Sequence, residues 1–261
     1  VSKTVPAETW DPGIYAAFAQ ERMRPALDLI DRIELSAPER VVDLGCGSGR
    51  ITRRLAARWP DAGIIGIDSS AAMLAQAAAP PSAIRWLQID IAAWQADEPP
   101  ELIFSNAALH WLADHRRLFP RLVAQLGDGG LLAVQMPRSF DDPLHTAIAA
   151  TVAAGPWQSR LAPLCRPEPV TAPEAYVDLL SPLVSDLDVW ETVYFHLLSG
   201  EDAALTWARG AALRPFLAAL TADEHAPFLT EYRRRLAGSY PRRDDGRTLL
   251  PYRRLFIIAR R

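Results

Sequence analysis

Lysine is nearly missing from this chain. Lys3 is its one lysine, so almost all of its positive charge is guanidinium. Cysteine is scarce as well. Cys46 and Cys165 are too few for a disulfide framework or a zinc cage, and a reducing, cytoplasmic setting is the expectation. No apolar run approaches about 18 residues, so no membrane-spanning helix is predicted. The stretch from Val1 to Trp10 carries Pro6 and Glu8 and lacks the apolar centre of a signal peptide. The five histidines, at 110, 115, 145, 196 and 225, form no H-x-H or H-x-x-x-H pair, so no metal site is expected. Internal repeats and low-complexity tracts are absent. The net charge of −3 gives no overall pull toward nucleic acid or an anionic membrane.

What is present is ordinary for a globular protein. The chain has 261 residues, 49% of them hydrophobic and 23% charged, which suits one large domain, 1–261, with a substantial insertion. The charge is uneven: from Tyr232 to Arg261 there are ten arginines against two aspartates.

Hydrophobic periodicity predicts a helix over residues 14–33, whole or broken at Pro25. Short apolar runs predict strands at 40–44, 63–67, 84–89, 101–105 and 131–135, with helices at 50–59 and about 70–79. Alternation of strand and helix over 40–135 means a parallel sheet with helices on both faces. Beyond it, helices are predicted near 143–154, at 173–181 and across 201–239. Long strands are expected at 186–198 and 253–259. The helical block between those two strands is too long for a hairpin loop, so residues 199–248 read as an inserted cap.

The sharpest motif is Val41-Val42-Asp43-Leu44-Gly45-Cys46-Gly47-Ser48-Gly49. Glycines between a strand and a helix let the backbone approach a ligand that a Cβ would exclude. The pattern is G-x-G-x-G rather than the G-x-G-x-x-G that seats a pyrophosphate, and Asp43 precedes it. Asp68 ends the next strand, 25 residues after Asp43, where nucleotide folds hold a ribose diol. Asp90 ends the third. Three acids at successive strand ends, with no basic residue in the glycine loop, suit a cationic adenosine compound without phosphates. S-adenosylmethionine has that chemistry.

The segment Phe104-Ser105-Asn106-Ala107-Ala108-Leu109-His110-Trp111-Leu112 follows the fourth strand. Asn106 is suited to hydrogen-bond the amino end of such a donor. The segment is not the N-P-P-Y loop with which some nucleic-acid methylating enzymes hold a flipped base. His110 is a candidate catalytic or substrate residue, and Trp111 a candidate ligand contact.

On these residues the chain resembles the class I S-adenosylmethionine-dependent methyltransferases. The resemblance implies a Rossmann-like α/β fold: a seven-stranded, mostly parallel sheet, helices on both faces, and a helical cap insertion. It also implies site roles. The loop with Asp43, Gly45, Cys46 and Gly47 would hold the methionine moiety, and Asp68 the ribose hydroxyls. Ser69 and Met73 would lie by the adenine, and Asp90 and Ile91 at its amino group. Residues 1–33 would form a helical lid.

A narrower likeness extends over nearly the whole length. Trp10-Asp11-Pro12 with Tyr15, Glu21 to Ala26, Asn106 to Leu112, Ala133 to Pro137, Leu213-Arg214-Pro215 and Arg254 to Arg261 resemble the bacterial trans-aconitate 2-methyltransferases. Ser48 departs from the proline expected in that family. The resemblance implies that the acceptor is trans-aconitate or a related small polycarboxylate, esterified at one carboxyl.

A carboxylate is ionised at neutral pH and needs no general base, whereas a hydroxyl acceptor does. What a carboxylate needs is a clamp, and the planar guanidinium fork is the best one. Arg22, Arg138, Arg214 and Arg253 are candidates, with Tyr15, Tyr194 and His196 beside them. Two other readings stay open: another small acceptor such as a hydroxyl, with His110 as base, or a non-catalytic module using the basic C-terminal stretch. Nucleic-acid and membrane partners are not expected, and a monomer or weak homodimer is.

Overall fold

A computed structural model describes residues 19–165, 170–210 and 212–261, with residues 19–22 described in backbone only. The expected helix is described from Ala19 to Asp31 and runs unbroken through Pro25. Ile14 and Phe18, which contributed to that expectation, lie outside the described residues.

Among the described residues the strands form one sheet of seven: β1 (Arg40–Leu44), β2 (Gly63–Asp68), β3 (Arg85–Gln88), β4 (Leu102–Asn106), β5 (Leu131–Pro137), β6 (Asp186–Leu198) and β7 (Thr248–Arg260). Their order is β3-β2-β1-β4-β5-β7-β6. The pairs among β1 to β5 are parallel, and β7 runs antiparallel against β5. β1 and β4 are neighbours although two strands separate them in sequence, so the chain switches direction across the sheet between them. Ligands of open α/β sheets bind at the carboxyl ends of strands flanking such a point. β1, β4 and β5 are buried nearly throughout, as expected of parallel strands covered on both faces.

Local chemistry sets the element boundaries. Ser70 caps the helix Ala71–Ala78, its hydroxyl accepting from the Met73 amide at 3.3 Å. The helical stretch predicted over 201–239 is three helices: Ala203–Arg209, Arg214–Ala219 and Ala222–Leu236. Thr221 and Glu224 form a capping box that starts the third. β7 begins five residues earlier than its apolar run suggested, with Thr248 and Leu250 buried alternately. The helix His115–Ala124 was not foreseen; Pro120 lies inside it and masks its periodicity.

The chain divides into two units. One comprises residues 23–138, 170–192 and 253–261, and holds the parallel strands with Leu44, Ile67, Leu102 and Phe104 fully buried. The other comprises 19–22, 139–165, 193–210 and 212–252 among its described residues. Its core gathers Trp157, Trp207, Leu213, Phe228 and Tyr232. Phe228 meets the Trp157 edge at 5.2 Å between ring centroids, and the Tyr232 hydroxyl donates to the Leu144 carbonyl at 2.9 Å. Phe228→Ala is expected to cost about 3–5 kcal/mol and lower the melting temperature of this unit. A calorimetric scan showing no shift would contradict that packing.

Candidate active site

Strand register places the polar residues of the carboxyl edge together. Asp43 pairs with Gly66 on β2 and Phe104 on β4; Phe104 pairs with Ala133 on β5, and Asn106 with Gln135. Side chains alternate along each strand, so Asp43, Asp68, Asn106 and Gln135 all project from one face of the sheet.

The glycine loop is built on β2. The amides of Gly45 and Cys46 both donate to the Ile67 carbonyl, at 2.8 and 2.9 Å. The Gly47 amide donates to Asp68 Oδ2 at 2.9 Å, and the Ser70 amide to Asp68 Oδ1 at 2.8 Å. Asp68 therefore staples the loop to the strand end, while each oxygen keeps a lone pair for a ligand hydroxyl. Gly45 is required twice over. Its φ is +79°, and a Cβ there would lie 2.1 Å from the Ala108 Cβ.

Asp43 is buried beneath the loop. The Thr52 hydroxyl donates to its Oδ2 at 2.6 Å. Burial nevertheless pushes its pKa up to about 7; the Thr52 bond opposes that rise and the Asp68 charge adds to it. The same burial, with the charges of Asp43 and Asp68, pushes the Cys46 thiol far up, so it is no nucleophile at neutral pH.

The remaining residues expected beside the donor follow β2 and β3. Ser69 is exposed and Met73 half-buried. Asp90 is exposed, its Oδ1 accepting from the Ala92 amide at 2.9 Å, and Ile91 is nearly buried. Arg121, on the unforeseen helix, donates to the carbonyls of Ile91 and Trp94 at 2.8 and 2.6 Å and so fixes this loop.

After β4 the chain turns sharply. Ala107 adopts a φ of +52°, and its amide donates to the Gln135 carbonyl at 2.8 Å. Leu109–Trp111 then form one 3₁₀ turn, with the His110 and Trp111 rings 4.7 Å apart. Trp111 is 69% exposed, an unusual state for a large aromatic. His115 anchors the turn. Its Nε2 lies 3.0 Å from the Leu109 carbonyl, which only accepts, so Nε2 carries the proton. Nδ1 therefore accepts from the Tyr176 hydroxyl at 2.6 Å. Burial lowers the His115 pKa and keeps the ring neutral. Sequence reasoning missed His115 and Tyr176, which are 61 residues apart and belong to no local motif.

The expected acceptor residues have different fates. Arg138 is engaged: Nη1 pairs with Glu191 Oε1 at 2.9 Å and Nε donates to the Thr171 carbonyl at 3.2 Å. Arg253 is half-buried at the start of the β7 segment facing β5, while Arg254 beside it is only 4% exposed. In the other unit, Tyr194 is buried, and His196 is buried against Trp207 with ring centroids 4.9 Å apart. Arg214 opens a short helix there. Tyr15 and the Arg22 side chain lie outside the described residues.

Two amides stand out. Asn106 Oδ1 is buried and accepts no hydrogen bond, and neither amide atom of Gln135 has a partner among the described residues. Leaving such a group unpaired costs about 1–3 kcal/mol.

Comparison with known proteins agrees with this geometry. A family model described as a methyltransferase domain matches residues 41–130. A trans-aconitate 2-methyltransferase of Azoarcus sp. (strain BH72) is 44% identical over 251 residues, covering 96% of this chain and 98% of that protein. One from Klebsiella pneumoniae (strain 342) is 45% identical over 254 residues, covering 97% and 98%. This chain belongs to the trans-aconitate 2-methyltransferase family. Solved structures share its fold at low identity. The YcgJ protein of Bacillus subtilis matches with a TM-score of 0.60 at 14% identity, covering 91% of this chain and 98% of that one. A phosphoethanolamine N-methyltransferase of Haemonchus contortus, solved with S-adenosylhomocysteine, matches at 0.55 and 14%, covering 95% and 56%.

Family membership makes S-adenosylmethionine the methyl donor, and the site fits it. The glycine loop leaves room that side chains would fill, Asn106 Oδ1 can accept from an ammonium, and the buried Asp43 favours a cation above it. A cation there favours the ionised carboxylate, so donor binding should release a proton near neutral pH. Donor affinity is expected to fall about tenfold per pH unit below about 7, and Asp43→Asn should flatten that profile. The folded pKa lies above the unfolded value of 3.8. Ionised Asp43 therefore costs the ligand-free fold more stability as pH rises through the interval between them. Asp43→Asn, which keeps an oxygen for Thr52, should raise the ligand-free melting temperature more at pH about 8 than at pH about 5. Calorimetric titration in buffers of different ionisation enthalpy checks the first expectation, and thermal scans the second.

Proposed function

We propose that this chain transfers the methyl group of S-adenosylmethionine to one carboxylate of trans-aconitate, giving a monomethyl ester. The observation that carries the reading is identity of about 44% to enzymes of that name, sustained over 96% of the chain. The same reading takes the protein as a monomer or weak homodimer without a nucleic-acid partner.

The donor supplies a methyl carbon activated by a sulfonium and a neutral leaving group. A carboxylate oxygen of the acceptor attacks that carbon; the O–C bond forms as the C–S bond breaks, and the electron pair stays on sulfur. The acceptor has no proton to lose, so the protein's work is alignment and exclusion of water. Asp68 holds the ribose diol with its remaining lone pairs. Asp43 and Asn106 hold the amino end. Ser69 and Met73 lie along the adenine, with Asp90 and Ile91 at its edge. Trp111 would cover the reacting atoms, its turn held in place by the neutral His115 through Leu109. His110 lines the pocket and is not needed as a base.

Purified protein with methyl-labelled donor and a panel of di- and tricarboxylates tests this directly. Label on trans-aconitate, released as methanol by mild base, is expected. Transfer to no acid, with donor binding intact, would overturn it. His110→Asn separates the acceptor classes. Carboxyl transfer predicts a kcat loss of less than about tenfold and no histidine limb in the pH profile. A general base predicts a loss of about a hundredfold or more.

A further inference from the structure

The sequence Leu131-Leu132-Ala133-Val134-Gln135-Met136-Pro137 is apolar but for Gln135, and every residue of it is buried. A glutamine amide offers two donors and an acceptor. Gln135 is 1% exposed, and neither Nε2 nor Oε1 finds a hydrogen bond among the described residues. A leucine or methionine would fill the same space with no unpaired atom. The amide is thus held at a cost to the fold.

Its neighbours describe what it would meet. Gln135 pairs with Asn106 on β4 and with Phe256 on β7, and Arg254 pairs with Pro137. Alternation puts Asn106, Gln135, Phe256 and Arg254 on one face. Trp190 stacks on Phe256, with ring centroids 4.8 Å apart and planes 7° apart. Going along the edge from β1, the face therefore carries the acid Asp43 and the lone oxygen of Asn106, suited to a cation. Next come the Gln135 amide, the enclosed Phe256 and the guanidinium of Arg254, the side suited to an anion. The change from negative to positive falls between Asn106 and Gln135, where a carboxylate must meet a sulfonium methyl.

We infer that Gln135 binds the acceptor, its Nε2 donating to the carboxylate that receives the methyl group, with Arg254 supplying the positive charge on the same face. This rests on the carboxyl-methylation reading above. The charge order along the edge argues against Gln135 serving the donor, whose cationic end belongs beside Asp43 and Asn106.

The test compares wild type with Gln135→Leu, Gln135→Met and Gln135→Glu, measuring donor dissociation constant, melting temperature, and KM and kcat for trans-aconitate. The expected result for Leu is a loss of about 10- to 100-fold in kcat/KM, carried mainly by KM, with donor affinity unchanged. Its melting temperature should be equal or higher, since no buried amide is left unpaired. Gln135→Glu should lose more, because it sets like charge against the carboxylate. Gln135→Met serves the same comparison if the Leu variant does not fold. Unchanged KM and kcat in the folded apolar variant, with wild type active on trans-aconitate, would overturn this inference alone. Weakened donor binding in that variant would also overturn it, moving Gln135 to the donor. Wild type that esterifies no acid would overturn the functional reading and this inference with it.

Discussion

The register of five parallel strands is the constraint on which the site depends. Because side chains alternate, a one-residue slip in any strand would turn its edge residue to the opposite face. As paired, β1 contributes Asp43, β2 Asp68, β4 Asn106 and β5 Gln135 to one face at the carboxyl edge. Buried apolar neighbours on both faces hold that register. Leu44, Ile67, Phe104 and Leu132 are fully enclosed, and none can move to the edge without leaving a cavity.

That edge carries groups whose burial is costly, and the proposed reading has the two ligands offset that cost. Asp43 is an acid held where its charge is disfavoured, and Asn106 Oδ1 and both amide atoms of Gln135 are buried without a hydrogen-bond partner among the described residues. A cation beside the first two and a carboxylate beside Gln135 Nε2 would satisfy Asp43, Asn106 Oδ1 and that Nε2. Affinity in such a site comes from relieving a built-in deficit, because the groups are already desolvated and oriented. The surrounding contacts keep the groups from relaxing into one another: Asp68 ties the glycine loop to β2, Arg121 ties down the loop after β3, and His115 with Tyr176 ties down the turn after β4.

Much of this was legible in the sequence. The strand–glycine–helix motif and the spacing from Asp43 to Asp68 foretold the glycine loop and the strand-end acid that ties it down, since both are local patterns with a direct physical reading. The strands were legible because their apolar runs are short and bounded. What escaped were groups defined by pairing across the sheet. Gln135 reads as an incidental polar residue until β5 is set beside β4. His115 and Tyr176 meet only through packing of distant segments. Arg138 and Arg254 look equivalent in sequence, yet the first is half-buried against Glu191 and the second is almost fully buried on the face that carries Gln135. The helix His115–Ala124 was hidden because Pro120 suggests a break that its neighbours do not impose.

The central claim is that the unpaired groups of the carboxyl edge belong to the two ligands. The most direct measurement is a crystal structure with S-adenosylhomocysteine and trans-aconitate bound together. The account predicts Asn106 Oδ1 within hydrogen-bond distance of the donor's ammonium and Gln135 Nε2 within hydrogen-bond distance of an acceptor carboxylate. Both ligands bound with either amide still unpaired would contradict it.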